Sequence, residues 1–166
     1  WASKNKKRKS ILITFWPHPR NILNPNTSIE LLLSNEDKHQ LLENLGVDYL
    51  YIIEFTKEFS KMSANSFIKN FIVDKLNVSK LIIGYNHSFG HKREGNFLFL
   101  QKNKMKYNFE IQEVKKKEIN DKLKISSSSI REEVRYGNID LVNKMLGYKY
   151  YIKGEVIKGD GIGKKN

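Results

Sequence analysis

The sequence contains no cysteine, which excludes disulfides and thiolate metal sites and is neutral on compartment. No apolar run approaches the roughly 20 residues that a membrane span needs. Trp1 to Ser10 is polar and basic with no apolar stretch, so it does not read as a secretory signal, and cytoplasm is the default expectation. Proline is rare, at three residues. Arginine is scarce as well, at five of the 30 basic residues. With 18 acidic residues the net charge is +12, which first suggests nucleic acid. The distribution argues otherwise. Runs such as Lys4 to Lys9 and Lys115-Lys116-Lys117 exist, but lysines are spread through every segment amid many Asn and Ile. That is a composition bias more than a recognition stripe, and anionic nucleotides as ligands fit the charge equally well. A hydrophobic share of 39% over 166 residues suffices for one core, or for one domain and the start of another.

Serine is concentrated in one place, Ser126-Ser127-Ser128-Ser129, directly ahead of Ile130-Arg131-Glu132-Glu133. Serine is a preferred N-cap because its oxygen accepts from the orphan amides of the first helical turn. Ser129 with Glu132 has the spacing of a capping box. One serine would start the helix; four, with Arg131 close behind, put hydroxyls, amides and the positive end of the helix dipole on one spot. That combination suits an anion, most naturally phosphate. A flexible serine-rich loop ending in an ordinary cap would be written with the same letters.

In chain order, Ser10 to Trp16 is a near-continuous apolar run that suits a strand buried on both faces. It stops at Pro17-His18-Pro19-Arg20, and a loop is expected to about Ser34. Glu36 to Leu45 reads as a helix closed by Gly46, Tyr49 to Phe55 as a second strand, and Ser63 as the cap of a helix to about Leu76. Lys80 to Tyr85 is a third strand, Gly95 to Lys102 a further helix, and Tyr107 to Val114 a fourth strand. After the serine helix, Gly137 and Asn138 lead into a short helix, Ile139 to Leu146, ended by Gly147. Strands alternating with helices predict a Rossmann-like α/β domain, a parallel sheet with helices on both faces. Ligands in such sheets bind beyond the carboxyl ends of the strands. The unusual residues follow strands: Pro17 to Arg20, Asn86 to Arg93, and Ser126 to Arg131, three loops expected to meet on one rim. Tyr150 to Ile157 reads as a new strand with no helix after it, followed by the glycine-dense loop Gly159 to Gly163. The alternation breaks near Tyr148, so the expected domains are residues 1–148 and 149–166.

Five segments carry a resemblance: TFWPHPR at Thr14 to Arg20, SANSFI at Ser63 to Ile68, IIGYNHSFG at Ile82 to Gly90, ISSSSIRE at Ile125 to Glu132, and the stretch Gly137 to Gly163. Together they resemble the prokaryotic bifunctional riboflavin kinase/FMN adenylyltransferase, the FAD synthetase family. The resemblance implies a nucleotidylyltransferase domain that transfers AMP from ATP to FMN with Mg2+, giving FAD, then the start of a small β-barrel riboflavin kinase. Two family features have no match here. The opening GxFDGxHxGH turn, with the histidines of its HxGH part, is not in Trp1 to Ser10, and no PTAN run occurs before Asn166. The expectation is a chain truncated at both ends, or one whose residues omit segments, and in either case unable by itself to turn over ATP.

By the same resemblance, Ser127, Ser128 and Arg131 hold the ATP phosphates, and Arg131 and Asn86 serve catalysis. Pro17, His18, Pro19, Asn86 and Phe89 attend FMN. Phe89 and Phe67 could stack on the flavin ring. Each of these residues has a plainer reading: an ion pair of Arg131 with Glu132 or Glu133, a tight turn for Asn86, strand termination for the prolines, and core packing for Phe67. His87 and His91 sit four apart, but with no helix and no third ligand nearby no metal site is expected. The gathered partners are small nucleotides and flavins, without nucleic acid or membrane, and oligomeric state stays open. The alternatives are another nucleotidylyltransferase of this fold, acting on pantetheine phosphate or nicotinate mononucleotide, and a basic nucleic-acid-binding α/β protein.

Overall fold

A computed structural model of the chain describes residues 8–26, 30–115, 118–119 and 123–159. The run Lys4 to Lys7, Lys116-Lys117 and the loop beyond Gly159 lie outside the described residues. Two compact units divide the chain, Trp1–Lys116 and Lys117–Asn166. No helix among the described residues is long and apolar enough to cross a membrane.

In the first unit, β1 (Ile11–Trp16) pairs in parallel with β2 (Tyr49–Glu54), Ile11 opposite Tyr49 and Trp16 opposite Glu54. Between them lie α1 (Pro19–Leu23) and α2 (Asn35–Asn44). The helix α3 (Ala64–Phe67) runs straight into a π-helical continuation, Ile68–Lys75. Then β3 (Lys80–Gly84) pairs in parallel with β4 (Glu110–Val114), with α4 (Phe97–Tyr107) between them. The expected α/β alternation is present. The described strands form two parallel pairs rather than one continuous sheet.

The period-two pattern of the strands sorts their side chains. Ile13, Phe15, Tyr51, Ile53, Leu81, Ile83 and Ile111 join one core with Phe67, Ile68, Ile72, Leu100 and Phe109. Ile68, Ile72 and Leu100 are fully buried, so truncating any one to alanine costs about 2–5 kcal/mol. The expectation of strands buried on both faces is not met. Trp16, Ile52, Ile82 and Val114, on the intervening positions, are 42–50% exposed. Helices α3 and α4 supply side chains to the core cluster and leave those positions only partly covered.

Several boundaries differ from the sequence reading, each for a local reason. The segment after Pro17 is not all loop, because His18 caps α1 and Pro19 occupies its first turn, where a missing N–H costs nothing. The helix expected over Gly95 to Lys102 runs over α4 instead, capped by Asn96 and ended at Asn108 (φ 49°). It therefore takes Tyr107 from the expected fourth strand. Helix α3 begins at Ser63 as expected, but most of its length has wider π hydrogen bonding.

In the second unit a short antiparallel pair, β5 (Glu118–Ile119) and β6 (Leu123–Lys124), precedes α5 (Ser127–Arg135) and α6 (Ile139–Leu146). The two helices form the expected hairpin, with Ile130, Val142 and Met145 buried. Gly147 ends α6 in the left-handed region (φ 79°). The strand expected over Tyr150 to Ile157 does not form, and Ile152, Val156 and Ile157 are exposed. A strand exists only through pairing, and no described strand lies alongside this segment.

Candidate functional site

The carboxyl ends of β1 and β2 open onto a groove of about 490 Å³. Pro17, Asn21, Ile22 and Pro25 form one wall and Glu54 to Glu58 the other. The Phe55 amide donates to the Trp16 carbonyl at 3.0 Å, which ties the two strand ends together. Its lining is mixed: Pro17, Ile22, Pro25 and Phe55 are apolar, while Asn21, Glu54, Thr56, Lys57 and Glu58 are polar or charged. Of the three Pro-His-Pro residues only Pro17 lines this groove. His18 is engaged in starting α1, its Nδ1 accepting from the Arg20 amide at 3.2 Å, and Pro19 is inside that helix.

The loop after β3 begins with a turn closed by the His87 amide donating to the Gly84 carbonyl at 3.0 Å. Asn86 sits inside this turn, exposed, and is not among the described non-glycine residues with positive φ. The turn explains the residue type in part. Its side-chain amide nevertheless makes no hydrogen bond among the described residues, so it is available to a ligand. Phe89 packs inward. Its ring lies 5.6 Å from Phe67, 6.3 Å from Phe99 and 6.4 Å from the stacked ring of His87. Phe67 is buried in the core, in agreement with its plainer reading. The imidazole of His87 sits below its ordinary range, first because neighbours displace water from it and second because Arg93 is positive nearby. Part of that ring remains accessible to solvent.

This loop is fastened to the start of α3. The Glu94 carboxylate accepts from the Ala64 amide at 2.6 Å, and the His91 amide donates to the Met62 carbonyl at 2.8 Å. Nδ1 of His91 lies 3.2 Å from the Ser60 carbonyl. Phe89 and Gly95 exchange backbone hydrogen bonds of 2.9 Å in both directions. Glycine is required twice: a Cβ on Gly90 (φ 76°) would meet the Ala64 backbone at 2.6 Å, and one on Gly95 would meet the Phe89 ring at 2.6 Å. Sequence reasoning passed over Glu94, because its partner is 30 residues earlier and no local pattern joins them.

The serine helix in the second unit is capped differently from the sequence reading. The cap is Ser126, not Ser129. Oγ of Ser126 accepts from the Ser129 amide at 3.1 Å, and Oγ of Ser129 accepts from the Ser126 amide at 3.1 Å. The two hydroxyls are 2.9 Å apart. The box thus closes between serines, and Glu132 falls one turn too late to join it. Ser127 and Ser128 occupy the first two helical positions, exposed, with neither amide nor hydroxyl engaged among the described residues. Arg131 follows on the same helix, half-buried. An open N-terminus with two unengaged hydroxyls is suited to an anion. Among the described residues no group of three or more His, Asp or Glu gathers to hold a metal ion.

Comparison with known proteins places the chain. The sequence model of the FAD synthetase family matches residues 2–129, from the first unit into the serine run. A bifunctional riboflavin kinase/FMN adenylyltransferase of Buchnera aphidicola (subsp. Schizaphis graminum) is 37% identical over 156 residues, covering 94% of this chain and 50% of that protein. The protein of the same name from Listeria monocytogenes is 36% identical over 160 residues, 96% of this chain and 50% of its own length. That of Escherichia coli K12 is 31% identical over 154 residues, 93% and 49%. The chain spans about half the length of these curated relatives. A crystal structure described as a macrolide-efflux protein from Streptococcus pneumoniae superposes with a TM-score of 0.86 at 25% identity, covering 98% of this chain and 52% of that one. The chain belongs to the FAD synthetase family.

Proposed function

We propose that this chain provides the adenylyltransferase part of a flavin-nucleotide enzyme, joining AMP from ATP to FMN. A phosphate oxygen of FMN forms a bond to the α-phosphorus of ATP. The bond from that phosphorus to the bridging oxygen breaks, and pyrophosphate leaves with the electron pair. The attacking group is already an anion and needs no base, so the protein contributes alignment and charge neutralisation. Ser127 and Ser128 donate to the ATP phosphates, and Arg131 takes the departing pyrophosphate with its planar fork. Asn86 donates to the FMN phosphate beside the reacting atoms. Pro17 lines the groove beyond β1 and β2, which is the candidate flavin slot, and the family resemblance assigns His18, Pro19 and Phe89 to FMN as well. Magnesium carried by the ATP phosphates would supply part of the charge neutralisation there, with Ser127, Ser128 and Arg131 holding the same phosphates.

The observation that carries this reading is the N-terminus of α5, where two serines present unengaged amides and hydroxyls ahead of an arginine. The relatives' names add a second activity, riboflavin kinase. Residues 149–166 would open that domain, with Tyr150 to Ile157 pairing only when further strands are present. In the complete enzyme, Arg131→Ala should lower FAD formation by about a hundredfold or more and leave riboflavin phosphorylation intact. Equal loss of both activities would contradict the assignment. The rival readings separate by binding. Micromolar FMN or FAD quenching favours adenylyl transfer to FMN. Salt-steep RNA retention without flavin binding favours a nucleic-acid protein, and pantetheine phosphate or nicotinate mononucleotide binding without flavin binding favours the other nucleotidylyltransferases.

A further inference from the structure

The loop from Asn86 to Gly95 is held in a shape its own residues resist. Lys92 (φ 50°) and Arg93 (φ 62°) are consecutive non-glycine residues in the left-handed region, where a side chain costs about 1–2 kcal/mol each. Such conformations persist only where the surroundings over-determine them. Here the surroundings are identifiable. The next residue, Glu94, reaches across to the first amide of α3, and Gly90 lies against Ala64 in a space that admits no Cβ. The contacts at His91 complete a clasp between residues 60–64 and 90–94. A carboxylate on a helix N-terminal amide is a charge-assisted bond reinforced by the helix dipole, the strongest single element of that clasp.

We infer that Glu94 is a positioning residue: its grip on the Ala64 amide fixes the loop that presents Asn86. Glu94 acts through Asn86 and is not itself a catalytic group; this rests on the reading of Asn86 as a flavin-phosphate ligand given above. Ser63 supplies a control, because its hydroxyl caps the same helix by accepting from the Ser66 amide and makes no hydrogen bond to the loop among the described residues. Glu94→Ala and Ser63→Ala both weaken the start of α3, but only the first releases the loop.

The test compares Glu94→Ala, Glu94→Gln and Ser63→Ala in the full chain by amide hydrogen exchange and FMN fluorescence quenching. Glu94→Ala should speed exchange at Phe89 and Gly95 about tenfold and weaken FMN binding by a similar factor. Ser63→Ala should leave both within about twofold, and Glu94→Gln, whose amide oxygen still accepts from Ala64 but without the charge, should fall between Glu94→Ala and the unaltered chain. Equal exchange at Phe89 and Gly95 in Glu94→Ala and Ser63→Ala, or Gln as damaging as Ala, would overturn the positioning role. Faster exchange in Glu94→Ala with unchanged FMN affinity would overturn it too. If the unaltered chain binds no FMN, the flavin reading fails, while the exchange comparison still decides what anchors the loop.

Discussion

Three described helices begin with a serine cap, Ser34 at α2, Ser63 at α3 and Ser126 at α5, and the last two treat the rest of the N-terminus in opposite ways. At α3, Ser63 takes the Ser66 amide and the Glu94 carboxylate takes the Ala64 amide, so the protein supplies its own anion. At α5, Ser126 and Ser129 satisfy each other, and the groups of Ser127 and Ser128 between them meet nothing among the described residues. The dipole and the orphan amides are common to both ends. What differs is whether a carboxylate from elsewhere in the fold has been delivered. A capping serine therefore marks a helix start and says nothing about ligand binding; the next two positions decide that. Helix α3 uses its N-terminus to hold a loop in place, and α5 leaves its first two positions unengaged among the described residues, as the proposed phosphate contact requires.

Substitutions that breach the closed end sharpen this contrast. Gly90→Ala should be the most damaging, since it combines positive φ with a methyl group inside the Ala64 backbone. The loss should be roughly 2–5 kcal/mol, read as a lowered urea midpoint. Gly137→Ala and Gly147→Ala, in the helical hairpin, also have positive φ but meet open space, and should cost only about 1–2 kcal/mol. If all three cost the same, the clasp on Ala64 is not tight. Removing the caps comes next: Ser126→Ala and Ser63→Ala should each cost about 1 kcal/mol in thermal unfolding, typical of N-cap loss. Lys92→Gly should stabilise by up to about 1 kcal/mol through relief of the left-handed backbone; a loss would mean the side chain matters more than its φ. The smallest effect concerns pH. The folded pKa of His87 lies below its unfolded value near 6.5, so the unfolded chain binds the proton more readily. Stability tied to this ring is present above that value and lost as pH falls through it and on to the folded pKa. A melting temperature followed from pH 7.5 down to about 5.5 should therefore fall less steeply in His87→Gln.

Much of this molecule was legible in its letters because the signals are local. Ser63 starts a helix, Gly147 ends one, and four short β-branched runs alternate with helices, which is enough for the α/β class. The serine run was recognisable as a helix start, though the cap fell three residues earlier than the Glu132 spacing suggested. A serine at N3 closes a box as well as a glutamate does. The misses have physical causes. His18 looked like a loop residue because its Nδ1 substitutes for the usual hydroxyl cap. The π hydrogen bonding over Ile68–Lys75 leaves no letter pattern, since the apolar spacing serves either helix. The segment from Tyr150 has the composition of a strand, but pairing is decided by neighbours. Glu94 was missed for the reason that makes it informative: its bond crosses 30 residues.

The contrast between the two helix ends is tested most directly by titrating the amide-labelled chain with magnesium-free pyrophosphate and following backbone NMR shifts. The account predicts saturable shifts at Ser127 and Ser128, with Ala64 and Ser66 unmoved because Glu94 and Ser63 already hold them. Pyrophosphate shifts at Ala64 equal to those at Ser127, or none at Ser127 and Ser128 while ATP binds elsewhere, would contradict it.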